Sequence, residues 1–123
     1  MRLDVAPESI VLGMTFAKNS YPMWIFDQET LAFLDVNDTA VKRYGFSRQE
    51  FLTMTLRDIR PSEDLPDLLR RTQNLGAGTQ ATAERWRHVD KYGVVFPVAI
   101  TSWRLIFNGR PAELVIARRD DVV

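Results

Sequence analysis

Asn37-Asp38-Thr39-Ala40-Val41-Lys42-Arg43-Tyr44-Gly45-Phe46-Ser47-Arg48-Gln49-Glu50-Phe51-Leu52 holds two helix starts and one tight break. Asn37 carries a side-chain oxygen able to accept from the free N–H groups of a helix beginning at Asp38. Val36 and Val41 fall at the two positions of a hydrophobic staple around that cap. Tyr44-Gly45 closes the helix, because Gly tolerates the left-handed conformation that a terminating residue needs. Ser47 and Glu50 have the spacing of a capping box, with Phe46 and Phe51 placed as a second staple. Two capping signatures in succession specify helix, break, helix.

Upstream, Tyr21-Pro22 ends whatever helix precedes it, since the residue before Pro is pushed out of the helical region. Met23-Trp24-Ile25-Phe26 is an apolar run bounded by Asp27-Gln28-Glu29-Thr30, which reads as a strand and a turn. Leu31 to Val36 then forms a hairpin with it. Both strands are apolar at nearly every position, Asp35 excepted, and such strands are covered on both faces. Before them, Glu8 to Asn19 reads as a helix with Pro7 and Glu8 in its first turn. Ile10, Met14 and Ala17 share a stripe that Val11, Leu12 and Phe16 widen. That face packs either on its own domain or on a second copy of the chain.

Downstream, Met54 to Ile59 leads to Pro61, and Asp64 is suited to cap a third helix. Leu65, Leu68, Leu69 and Thr72 give that helix its stripe, and Gly76-Ala77-Gly78 ends it. From Thr79 the period becomes strand-like. Thr79 to Val89 and Val94 to Phe107 flank a turn at Asp90-Lys91-Tyr92-Gly93, and Asn108-Gly109 marks a hairpin before a last strand over Glu113 to Ala117. Pro97 belongs on an edge or at a bulge. Two strands before the helices and three after them predict an α+β fold, a five-stranded antiparallel sheet with helices on one face.

A chain of 123 residues suits one compact domain. Sixteen basic residues balance sixteen acidic ones, which leaves no net field to draw in a nucleic acid. The absence of cysteine excludes a disulfide, a thiolate nucleophile and a cysteine-ligated metal. No apolar stretch approaches the roughly 18 residues of a membrane span, and no signal-peptide pattern opens the chain, so the reading is cytoplasmic. His88 is the only histidine and cannot build a histidine metal site. Set among Arg85, Arg87 and Lys91, it reads as a solvated surface residue. Glu63, Asp64 and Asp67 gather where a helix N-terminus attracts negative charge, and read as capping.

The strand–Asn37 junction, Tyr44 to Phe51, Ile59-Arg60-Pro61-Ser62-Glu63-Asp64, and the hairpin-like His88 to Val98 occur in one order. Together, over roughly residues 21 to 122, they resemble the PAS domain family. The resemblance implies a flanking helix over 1–20 and a PAS sensor domain over 21–123, part of a larger bacterial signalling protein. The output of that protein would be a histidine kinase or a cyclic-di-GMP enzyme (diguanylate cyclase or phosphodiesterase). It also implies a ligand pocket between sheet and helices, for which Trp24, Phe26, Leu34, Tyr44, Met54, Ile59, Leu69, Val98, Ile100 and Ile116 are the candidates. A homodimer would form on Ile10, Val11, Met14 and Ala17, and the signal would leave through Asp120 and Asp121. Asp121-Val122-Val123 resembles the family's Asp-x-Thr exit, with Val123 in place of Thr, which suggests an excised module.

The family's covalent flavin adduct needs a cysteine that this chain lacks, and its haem-binding members use a histidine on the helix matching Asp64–Leu75, where none occurs. The identity of any cofactor stays unknown, and a non-covalent flavin or another small molecule remains open. Three functions follow: a small-molecule sensor, a ligand-free dimerisation and relay module with a filled core, and a small enzyme. The last would have His88 as its only imidazole, with nothing placing a nucleophile opposite it. The sensor, itself without catalysis, is the expected function.

Overall fold

The computed structural model describes residues 16–73 and 82–119. In order these form β1 (Met23–Asp27), β2 (Phe33–Val36), α1 (Asp38–Tyr44), α2 (Arg48–Phe51), 3-10 turns over Leu56–Ile59 and Ser62–Asp64, α3 (Leu65–Gln73), β3 (Thr82–Val89), β4 (Val95–Phe107) and β5 (Arg110–Arg119). The five strands make one antiparallel sheet in the order β2-β1-β5-β4-β3. The first and last strands are thus neighbours, and the helices cross one face. This is the α+β architecture expected from the strand count.

The deciding stretch folds as its residues dictate. Asn37 caps α1, its Oδ1 accepting from Ala40 N at 2.9 Å and also from Met23 N at 3.0 Å. Its Nδ2 donates to Phe16 O and Tyr21 O at 3.0 and 2.9 Å, so one buried amide joins three segments. Gly45 ends α1 at φ +86°, where a Cβ would meet Tyr92 Cε2 at 2.8 Å. Ser47 and Glu50 form the reciprocal capping box of α2. A further box, Thr55 with Asp58, opens the 3-10 turn over Leu56–Ile59. Asn108 and Gly109 both adopt positive φ and close the β4–β5 hairpin.

Several boundaries differ from expectation, each for a local reason. The second strand starts at Phe33 instead of Leu31, because Leu31 sits at φ +68° and Ala32 bridges to Thr55. Phe16 to Lys18 form a turn and Asn19 belongs to no helix, while residues 8–15 of the helix expected over Glu8 to Asn19, Ile10, Val11 and Met14 included, lie outside the described residues. So do Gly76-Ala77-Gly78 and Asp120-Asp121. The Asp64 carboxylate takes two hydrogen bonds from Arg87 of β3, tying the start of α3 to the sheet instead of serving the helix alone. The last strand runs well beyond Glu113 to Ala117. Pro97 pairs with Arg87 of β3, but β4–β5 pairing begins only at Val98↔Arg119, so it occupies a local edge.

The sheet is apolar on both faces. Trp24, Phe26, Phe33, Val36, Phe96, Val98, Ile100, Val115 and Ala117 face the helices and meet Tyr44, Phe51, Leu56, Ile59 and Leu68. Met23, Ile25, Ala112 and Leu114 gather with Phe16 on the opposite face.

Candidate functional site

The helix-facing side of the sheet changes character along its length. At the end near Gly45, a ring stack of Trp24, Tyr44, His88 and Phe96 fills the space, with centroids 5.4 to 6.3 Å apart. At the other end, inward positions on β3, β4 and β5 carry Glu84, Ser102 and Glu113, and α3 lowers Arg71 onto them. Arg71 Nε donates to both Glu84 oxygens at 3.0 and 3.1 Å, and Nη1 to both Glu113 oxygens at 3.2 Å. Nη2 donates to Ser102 Oγ at 3.2 Å, and Trp86 Nε1 donates to Glu84 at 2.8 Å. Burial holds the Glu113 carboxyl above its usual range, and Arg71 pulls it back down.

Arg60 is a second buried guanidinium, 9% exposed, which follows the 3-10 turn. It lies over Trp86, its Cζ 4.0 Å from the ring centroid. Its Nε and Nη1 have no hydrogen-bond partner, and neither does Trp24 Nε1. Desolvation, with the nearby Arg71 charge, lowers Arg60 to about 10. Trp24, Arg60, Arg71, Glu84, Trp86 and Glu113 surround a cavity of about 20 Å³, with Phe26, Leu68, Ile100 and Ser102 also on its wall. A volume of that size holds one or two waters. Arg71 and Trp86 also border an open surface groove of about 610 Å³ along Asp64, Asp67, Arg70 and Arg85, so these two side chains lie between cavity and groove.

His88 contradicts the surface reading. It is fully buried, its Nδ1 lies 2.6 Å from the Tyr44 hydroxyl, and its Nε2 has no partner. Burial, then the Arg60 charge, holds it well below the ordinary imidazole range, so it is neutral in the fold. Burial likewise raises the Tyr44 phenol. Strand alternation is the cause: Arg85 and Arg87 point out, while Glu84, Trp86 and His88 point in.

Of the pocket candidates, Trp24, Phe26, Tyr44, Ile59, Val98 and Ile100 are buried on the helix-facing side, and Met54 and Leu69 are half-buried against it. Trp24, Phe26 and Ile100 line the cavity; Tyr44 and Val98 border a separate crevice near Arg119. Leu34 and Ile116 are on the opposite face, which corrects their assignment. Ile116 pairs with outward Met23, and an irregularity between Ile25↔Asp35 and Phe26↔Phe33 leaves Leu34 as the extra, outward residue. Ala17 is exposed in its turn. Sequence reasoning missed Arg60, Arg71, Glu84, His88, Ser102 and Glu113. The available signal was charge at inward strand positions, invisible until parity was known.

Among the described residues no three His, Cys, Asp or Glu side chains gather to hold a metal, and no helix is long and apolar enough to cross a membrane.

No family model matches the chain. A methyl sulfide methyltransferase-associated sensor of Methanosarcina acetivorans is 26% identical over 96 residues, which is 78% of this chain and 10% of that protein. The chain therefore spans about a tenth of the length of the relative it matches. The PAS domain of an HTR-like protein from Haloarcula marismortui superposes with a TM-score of 0.75 at 15% identity, over 85% of each chain. A PAS domain from a two-component sensor histidine kinase gives 0.70 at 22% identity, over 85% of this chain and 88% of that one. The fold is that of a PAS domain.

Proposed function

We propose that this PAS-fold chain is the signal-input module of a larger signalling protein, and that its signal is a small molecule held between the sheet and α3. The observation that carries the reading is the set of unused donors, Trp24 Nε1 with Arg60 Nε and Nη1, on side chains that line one small cavity. A protein interior leaves few polar groups unpaired, so such a set marks a place where an acceptor belongs. Likeness to sensor-kinase PAS domains supports the signalling role. The output would be a histidine kinase or a cyclic-di-GMP enzyme in a cytoplasmic homodimer. Ile10, Val11, Met14 and Ala17 would form the dimer face, Asp120 and Asp121 the exit, and the module itself would catalyse nothing.

The small cavity volume favours a second reading, a relay module whose own side chains fill its core. Native mass spectrometry of the freshly purified chain, with a thermal-shift screen of small molecules, separates the two. A retained mass, or a saturable stabilisation that Trp24→Phe abolishes, supports sensing. A clean apo dimer unmoved by every compound overturns it.

A further inference from the structure

The unused donors are not chemically neutral. Arg71 already has two carboxylates, Glu84 and Glu113, and so its charge is compensated twice over. Arg60 has none within hydrogen-bond distance among the described residues, although it is nine-tenths buried. Its guanidinium stacks on Trp86, which satisfies its face and leaves its N–H edge free. Trp24 supplies another free N–H on the same cavity wall, and indole nitrogen only donates. A buried guanidinium requires a counter-charge, and donors without acceptors require lone pairs. Water offers the lone pairs without the charge.

We infer that the cavity bounded by Arg60 and Trp24 binds a compact monovalent anion, of the chemistry shared by a halide and a small carboxylate. This rests on the sensing reading and names the class of its ligand. Arg60 would donate to the anion through one of its two unpaired groups, Nε or Nη1, and Trp24 Nε1 would fix the anion's position from the sheet. Glu84 and Asp64 act on Arg60 only through space, and it is the one guanidinium on the cavity wall without a carboxylate hydrogen bond among the described residues, which argues for one negative charge at most. The volume of about 20 Å³ admits a halide in place of water. A carboxylate would need Trp86 and Arg71 to give way toward the surface groove they border.

The test follows the indole N–H resonances of the intact chain by 1H–15N spectroscopy. Sodium chloride and sodium formate are titrated separately at constant ionic strength, with sodium sulfate as the balancing salt. Trp24→Phe, which keeps a ring and removes the N–H, assigns the Trp24 signal. The expected result is a saturable Trp24 shift with one of the two anions, absent at outward Trp103; the anion that saturates tells halide from carboxylate. Arg60→Gln should weaken that binding at least about tenfold. Should Arg60→Gln not fold, the anion-dependent rise in melting temperature is compared between wild type and Trp24→Phe, which should need severalfold more anion. Linear drift with both anions, or equal titration of wild type and the folded variant, overturns the inference. A neutral molecule that is retained, or that shifts Trp24 where anions do not, overturns the anion alone and leaves sensing standing. Silence toward every compound removes both.

Discussion

Replacing Arg60 with Met should stabilise the protein, against the usual direction for a buried residue. The charged form of Arg60 is penalised by desolvation and by the Arg71 charge, with its pKa brought from 12.5 to about 10. That drop corresponds to about 3 kcal/mol against the folded state. Stacking over Trp86 at 4.0 Å returns about 0.5–2 kcal/mol, which the variant forfeits. Met keeps most of the aliphatic stem and carries no donor to leave unpaired. The balance favours Arg60→Met by about 1–2 kcal/mol, a rise in melting temperature of roughly 4–8 °C for a chain of 123 residues. Because the folded pKa is the lower one, the guanidinium is protonated in both states below about pH 10, and the penalty is present there in full. It fades only as pH climbs from there toward 12.5. The difference between variant and wild type should therefore stay flat from pH 7 to 9, measured by calorimetry in a buffer free of halide and carboxylate. A melting temperature equal to or below wild type would refute the claim that this buried charge is a net cost to the fold.

Arg71 should behave in the opposite way: Arg71→Leu strands Glu84 and Glu113 and should cost about 3–5 kcal/mol in urea unfolding, while a loss below 1 kcal/mol would dismiss the network as ornamental. His88 is held below its unfolded pKa of 6.5, so only the unfolded chain gains a proton as pH falls through that value. The unfolding free energy from urea titration should fall from pH 7.5 to 5.5 by up to about 1.4 kcal/mol per pH unit, and His88→Phe should flatten that slope. Asn37→Asp keeps the helix-capping oxygen but loses both donations to Phe16 O and Tyr21 O. It should cost about 2–4 kcal/mol by denaturant titration, whereas a neutral result would reduce Asn37 to a simple cap.

The fold was legible wherever information is local. Asn37, Ser47 with Glu50, Gly45 and Asn108-Gly109 each satisfy or release backbone groups within a few residues of themselves, and each appears where its chemistry demands. The site was hidden because it depends on which way a strand faces. His88 stands between arginines that point outward, and composition along the chain averages over the two faces that the sheet separates. Leu34 was misplaced by one irregular step in β1–β2 pairing, which nothing in Leu31 to Val36 announces. Arg60 follows a 3-10 turn and Arg71 sits on α3, and they meet Trp86 and Glu84 only through tertiary packing. Such an encounter leaves no periodic trace.

The amide of Asn37 acts as a rivet through Phe16, Tyr21, Met23 and Ala40. Its four bonds join the backbone approaching β1, the first residue of β1 and the first turn of α1. The amide thus ties the approach to β1 and the start of α1 to each other at one point, apart from the cavity and its lining.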